Sequence, residues 1–123
     1  MKMAGKRSIF DERLSGVRVI TTAVAAAATD VSVLAAGHDY LRVLDVWFVT
    51  SSNSAGATTC QLKSGANAIT DAIDINKATG TVTRAATISP TYDKVVPGTA
   101  IVATISAAAN TGNLCVMIEP YTA

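Results

Sequence analysis

The sequence predicts an all-β domain, a sandwich or barrel of about eight short strands, carried behind a charged N-terminal arm. Three observations predict it. Apolar residues alternate with polar or small ones at period two through much of the chain, the mark of strands with one covered face. Turn-forming residues recur every eight to fifteen positions, a spacing that suits short strands in a sandwich or barrel. Seven of the nineteen charged side chains fall within the first eighteen residues, which sets an arm apart from a nearly uncharged body. At 123 residues there is room for one domain, which divides into an arm at 1–16 and a β domain at 17–123.

The arm comes first. Lys2, Lys6, Arg7, Arg13 and Arg18 face only Asp11 and Glu12 in this stretch. Ile9, Phe10 and Leu14 stand among these charges, spaced for an amphipathic turn from Ser8 onward, with Ser8 and Asp11 or Glu12 as capping elements. A segment so short is not a stable helix alone, so its apolar residues are expected to dock on a partner or return to the parent domain. Five cations without interleaved aromatics or a reading helix make a poor nucleic-acid signature, and no direct nucleic-acid contact is expected. Lys6 and Arg7 ahead of the apolar 19–28 stretch resemble a secretory leader, but Asp11, Glu12 and Arg18 interrupt that pattern. No run approaches the ~20 apolar residues of a membrane span, and no membrane partner is expected.

Strands are expected at 17–25, 30–35, 40–51, 57–63, 66–75, 80–88, 99–106 and 113–121. Ala23 to Ala28 favours helix in isolation, but the β-branched residues on both sides favour strand, a bend near Thr29 and Asp30, and a second strand. Leu41 to Thr50 is apolar on both parities except at Arg42 and Asp45, which predicts a central strand covered on both faces and carrying Trp47. Cys60 and Leu62 alternate with Gln61 and Lys63. Ile69, Ile73 and Ile75 oppose Thr70 and Asp74, Ile101, Ala103 and Ile105 oppose Val102, Thr104 and Ser106, and Leu114, Val116 and Ile118 repeat the pattern. Between the last two pairs of strands, Ser89 and Pro90 suit the cap and first position of a single helical turn. With only six aromatics, the core must be built mainly of Val, Ile, Leu and Ala, and a thin core gains stability from covering more surface in an oligomer.

Residues able to do chemistry are sparse. His38 sits beside Asp39 in a turn, where neighbours on an extended chain point to opposite faces; an enzymatic reading would depend on His38 with Asp39 or Asp45. Asp71 and Asp74, three apart, fall on opposite faces of a strand. Cys60 and Cys115 lack metal-binding spacing and read as buried thiols, although cysteines in neighbouring strands could be bridged. Neither a nucleophile elbow nor a phosphate loop nor a zinc or calcium motif is present, so no catalytic residue, metal or cofactor is expected.

The stretches 62–74 (LKSGANAITDAID), 81–88 (TVTRAATI) and 96–101 (VPGTAI) resemble the decoration, or cement, proteins of tailed-phage heads. The resemblance covers about half the chain, from Gln61 to Ile105, and lies in the pattern of residues. It implies a jelly-roll-like antiparallel β-sandwich, assembly as a homotrimer, and an extended arm reaching across neighbouring subunits. It further implies the major capsid protein as partner and the capsid exterior as location, after synthesis in the host cytoplasm. On this reading Ile9, Phe10 and Leu14 are apolar anchors at a capsid or subunit interface, and Lys6, Arg7 and Arg13 select acidic ground; these assignments follow from the arm's composition. The alternatives are a tail, fibre or head-completion protein with the same body, and a carbohydrate-binding module using Tyr92 beside Asp93, or Tyr121.

Overall fold

The computed structural model describes residues 16–25, 30–52, 58–106 and 110–121. Those residues form ten strands and no helix, and hence no helix long and apolar enough to cross a membrane. The strands are β1 (Arg18–Val24), β2 (Asp30–Leu34), β3 (Leu41–Ser52), β4 (Thr59–Ser64), β5 (Asn67–Ala68), β6 (Ile73–Asp74), β7 (Val82–Arg84), β8 (Lys94–Val95), β9 (Ile101–Ile105) and β10 (Thr111–Pro120). All pairings are antiparallel, and they build two sheets.

One sheet runs β1-β10-β3-β7, with β8 pairing the same edge of β3 further along; the other runs β2-β9-β4-β5, with β6 likewise beside β4. Counting β5 with β6 and β7 with β8 leaves eight strands, and the order is that of a jelly roll, in which a long folded ribbon wraps so that successive strands pass from sheet to sheet. The antiparallel β-sandwich expected from the alternation is therefore present. The cores of six expected strands form as read, and the bend expected at Thr29 lies outside the described residues.

The core lies between the sheets and is dominated by aliphatic side chains. Val46, Phe48, Leu114, Val116 and Ile118 of the first sheet meet Cys60, Leu62, Ile101 and Ala103 of the second, with Ile75 just after β6, all of them fully buried. Alternation decides this directly in β4, β9 and β10, where each second residue is inward. In β3 the parity changes: Leu41 and Val43 point inward, then Val46, Phe48 and Thr50. The register slips between Met117 and Ile118, so that Asp45 pairs Met117 and Val43 pairs Ile118, leaving Leu44 as the extra residue of a β-bulge. β3 is central, as expected, but Trp47 does not enter the core. It follows the new parity to the outer face and is only half-buried, while Phe48 supplies the interior ring.

Two expected strands are broken by side chains that capture backbone groups. The 66–75 stretch yields only β5 and β6, because the Thr70 hydroxyl accepts the Leu62 N–H at 3.1 Å in place of a ladder partner and donates to the Asp71 carbonyl at 2.8 Å. The 80–88 stretch shrinks to β7, since Asp71 Oδ1 accepts the amides of Ala86 (3.0 Å) and Thr87 (3.2 Å). Ser89 behaves as read: its hydroxyl accepts the amides of Thr91 and Tyr92 at 3.2 Å, and Asp93 N donates to Ser89 O at 3.0 Å, closing one turn that leads into β8. β8 itself had no alternation to reveal it, being two residues long.

Candidate functional site

The residues singled out for chemistry do not converge. His38 and Asp39 lie exposed in the bend before β3. Asp45 is on the outer face of the first sheet, where Oδ1 accepts the Val46 amide at 2.9 Å and Oδ2 meets Arg84 Nε at 3.0 Å. Asp71 holds the loop after β7, and Asp74 accepts the Asn76 amide and meets Lys77 at 3.5 Å. Among the described residues no three His, Cys, Asp or Glu side chains gather as a metal would require.

The two cysteines are free and sit on opposite sides of one sheet layer. Cys60 faces the core, where burial pushes its thiol up to about 12, so it stays protonated and unreactive. Cys115 is on the outer face of the first sheet, with its sulfur 3.9 Å from the Thr21 hydroxyl. Neither a bridge nor a shared ligand site joins them.

The carbohydrate reading fares no better as geometry. Tyr92 is exposed, but Asp93 turns inward, lying 3.7 Å from Arg42 Nε and 3.5 Å from Lys94 Nζ. Tyr121 is packed edge-on against Tyr40, with ring centres 5.5 Å apart, so neither ring offers a free stacking platform beside a polar hook. A hollow of about 100 Å³ near Arg18, Gly37, Asp39 and Val95 has room for only a few water molecules.

What the sheets do present is an unequal pair of outer surfaces. On the first sheet the cross-strand rows read Val19, Met117 and Asp45, then Thr21, Cys115, Trp47 and Arg84, then Ala23, Asn113, Val49 and Val82. Asp45 and Arg84 neutralise each other in an ion pair, and a further row of the same face, Glu119, Arg42 and Lys94, is charged throughout and lies at one end of the apolar patch. Val19 is 46% exposed and Val82 60%, while Trp47, Val49 and Met117 are half-buried. The second sheet turns out Asp30, Ser32, Thr59, Gln61, Lys63, Asp74 and Thr104, with Val102 and Ala68 as its apolar members. A contiguous apolar face on one side of a sandwich is the usual sign of a surface that becomes covered. Sequence reading missed it because Trp47 was placed inside; the parity change at the Leu44 bulge is the feature that turns it out.

The arm residues Lys6, Arg7, Ile9, Phe10, Arg13 and Leu14 lie outside the described residues. The described chain starts at Gly16, two residues before β1, the edge strand of the sheet bearing the apolar patch. Comparison of the chain with protein-family models, with curated proteins and with solved structures finds no match.

Proposed function

We propose that this chain is a structural virion protein that binds the outer surface of a phage head and stabilises contacts between capsid subunits. The reading is supported by an apolar patch on the outer face of one sheet, set against the polar outer face of the other, and by the lack, among the described residues, of any converging chemical group. Such a body is built to be covered on one side and to meet solvent on the other. The jelly-roll wrapping adds a fold-level analogy, since viral capsid domains use it, as lectins and cupins also do.

The mechanism is physical. Subunit joints in a filled head are loaded by the packed genome, and each 100 Å² of apolar surface buried across a joint contributes about 2.5 kcal/mol before the costs of association. Ile9, Phe10 and Leu14 serve as the arm's apolar anchors, while Lys6, Arg7 and Arg13 select acidic ground on the major capsid protein. Assembly as a homotrimer ties three arms together, and linked arms bind about 10² to 10⁴ times more tightly than one alone where the geometry lets all engage.

The test is co-sedimentation of the purified chain with heads of the phage that encodes it. Saturable binding in threefold multiples, lost on deletion of residues 1–16, is the expected result. Failure to bind, or equal binding by the truncated protein, overturns the reading.

A further inference from the structure

We infer that in the free protein the N-terminal arm lies across the apolar outer face of the β1-β10-β3-β7 sheet, with Ile9, Phe10 and Leu14 set against Val19, Trp47, Val49, Val82 and Met117. The inference concerns the protein before it meets any partner, and it stands whether or not that partner is a capsid.

Three observations lead to this occupant. The first is position. The arm joins the body at Gly16, and the next residues, Val17 and Val19, are 52% and 46% exposed, so the chain enters the body along the border of the apolar face.

The second is reach. Trp47 lies two strand spacings across from β1 and, level with Thr21, four residues along from Val17, a diagonal of about 16 Å. The chain from Phe10 to Val17 spans up to about 23 Å when extended. Phe10 can therefore lie over Trp47, with Leu14 nearer β1 over Val19 and Met117.

The third is chemical match. Beyond the charged row Glu119, Arg42 and Lys94 at one end, and apart from the Asp45–Arg84 ion pair, the face presents Val19, Met117, Trp47, Val49 and Val82, a patch that selects apolar side chains. The arm has three large ones that its own length cannot bury, and its charged residues can remain in water on the other side. Neither the polar face of the other sheet nor the small hollow near Arg18 offers them comparable cover.

A consequence follows for partner binding. The arm and the face satisfy each other until a partner supplies better cover, so the free protein exposes less apolar surface than either part would alone. Opening the arm frees two apolar surfaces at once.

Trp47 is the chain's single tryptophan and sits in the middle of this face, so its fluorescence reports the cover directly. The experiment compares the full-length chain with a full-length Ile9→Asp, Phe10→Asp, Leu14→Asp variant, without capsids, by emission wavelength and acrylamide quenching. Far-ultraviolet circular dichroism verifies that the body is folded in both. The expected result is a shift of Trp47 emission to longer wavelength and stronger quenching in the variant, with the wild-type protection unchanged on dilution. Identical emission and quenching in the two proteins overturns the inference. Protection in the wild type that disappears on dilution also overturns it, because a second copy is then the cover. Capsid co-sedimentation is read separately, so either proposal can fail without the other.

Discussion

Replacing Gly112 by alanine tests how closely β10 and β3 pack. Gly112 is buried, pairs with Thr50, and lies where the register of β10 against β3 shifts. A Cβ on it would come within 2.6 Å of Phe48 Cε1 and 2.7 Å of Cζ, and would also collide with the Val49 carbonyl oxygen. The Phe48 ring is completely enclosed and the carbonyl belongs to the central strand, so neither neighbour can give way cheaply. Overpacking of a dense core costs about 1–3 kcal/mol, and a clash with backbone puts this substitution near the upper figure, about 3 kcal/mol. Glycine to alanine at an unstrained position otherwise stabilises by about 0.4–1 kcal/mol, so the sign of the effect is itself diagnostic. For a domain of this size about 3 kcal/mol lowers Tm by roughly 10 °C. The assay is thermal unfolding followed by circular dichroism. In a Phe48→Leu background the ring contact is gone but the carbonyl contact stays, so Gly112→Ala should cost less there, by a coupling readable in the double-mutant cycle. A Gly112→Ala protein that melts within about 1 °C of wild type refutes the packing described.

Two further predictions concern buried groups. Thr70→Val keeps the shape but leaves the Leu62 amide without its acceptor, which costs about 1–3 kcal/mol, whereas Thr70→Ser retains the hydroxyl and should recover most of the loss in urea unfolding. The Cys60 thiol, pushed up to about 12 by burial, binds its proton more tightly folded than unfolded. The unfolded chain therefore releases that proton first, and its contribution to stability, complete below about pH 8.5, declines by about 1.4 kcal/mol per pH unit as pH rises towards 12. Unfolding measured from pH 8 to 11 should fall less steeply in Cys60→Ala than in wild type, after each is referenced to its own value at pH 7; equal slopes count against burial of the thiol.

The alternation in β4, β9 and β10 was legible in the sequence because facing inward or outward is a property of each residue and its immediate neighbours. The same logic failed in β3, where one extra residue at Leu44 reverses every later side chain and moves Trp47 to the outside. The arm's apolar residues stand out in the composition, but the face proposed to receive them does not, since its rows are assembled from β1, β10, β3 and β7, far apart in the chain.

By itself the sequence determined that this protein is a β-sandwich or barrel with an aliphatic core, because period-two alternation and recurrent turns leave no other way to bury so many Val, Ile and Leu side chains. Only the tertiary structure decided the jelly-roll order, the breaks at Thr70 and Asp71, and which face stays apolar. Those features depend on hydrogen bonds and pairings between residues distant in the chain, such as Asp71 with Ala86 or Val19 with Met117, and no local pattern records who the partner is.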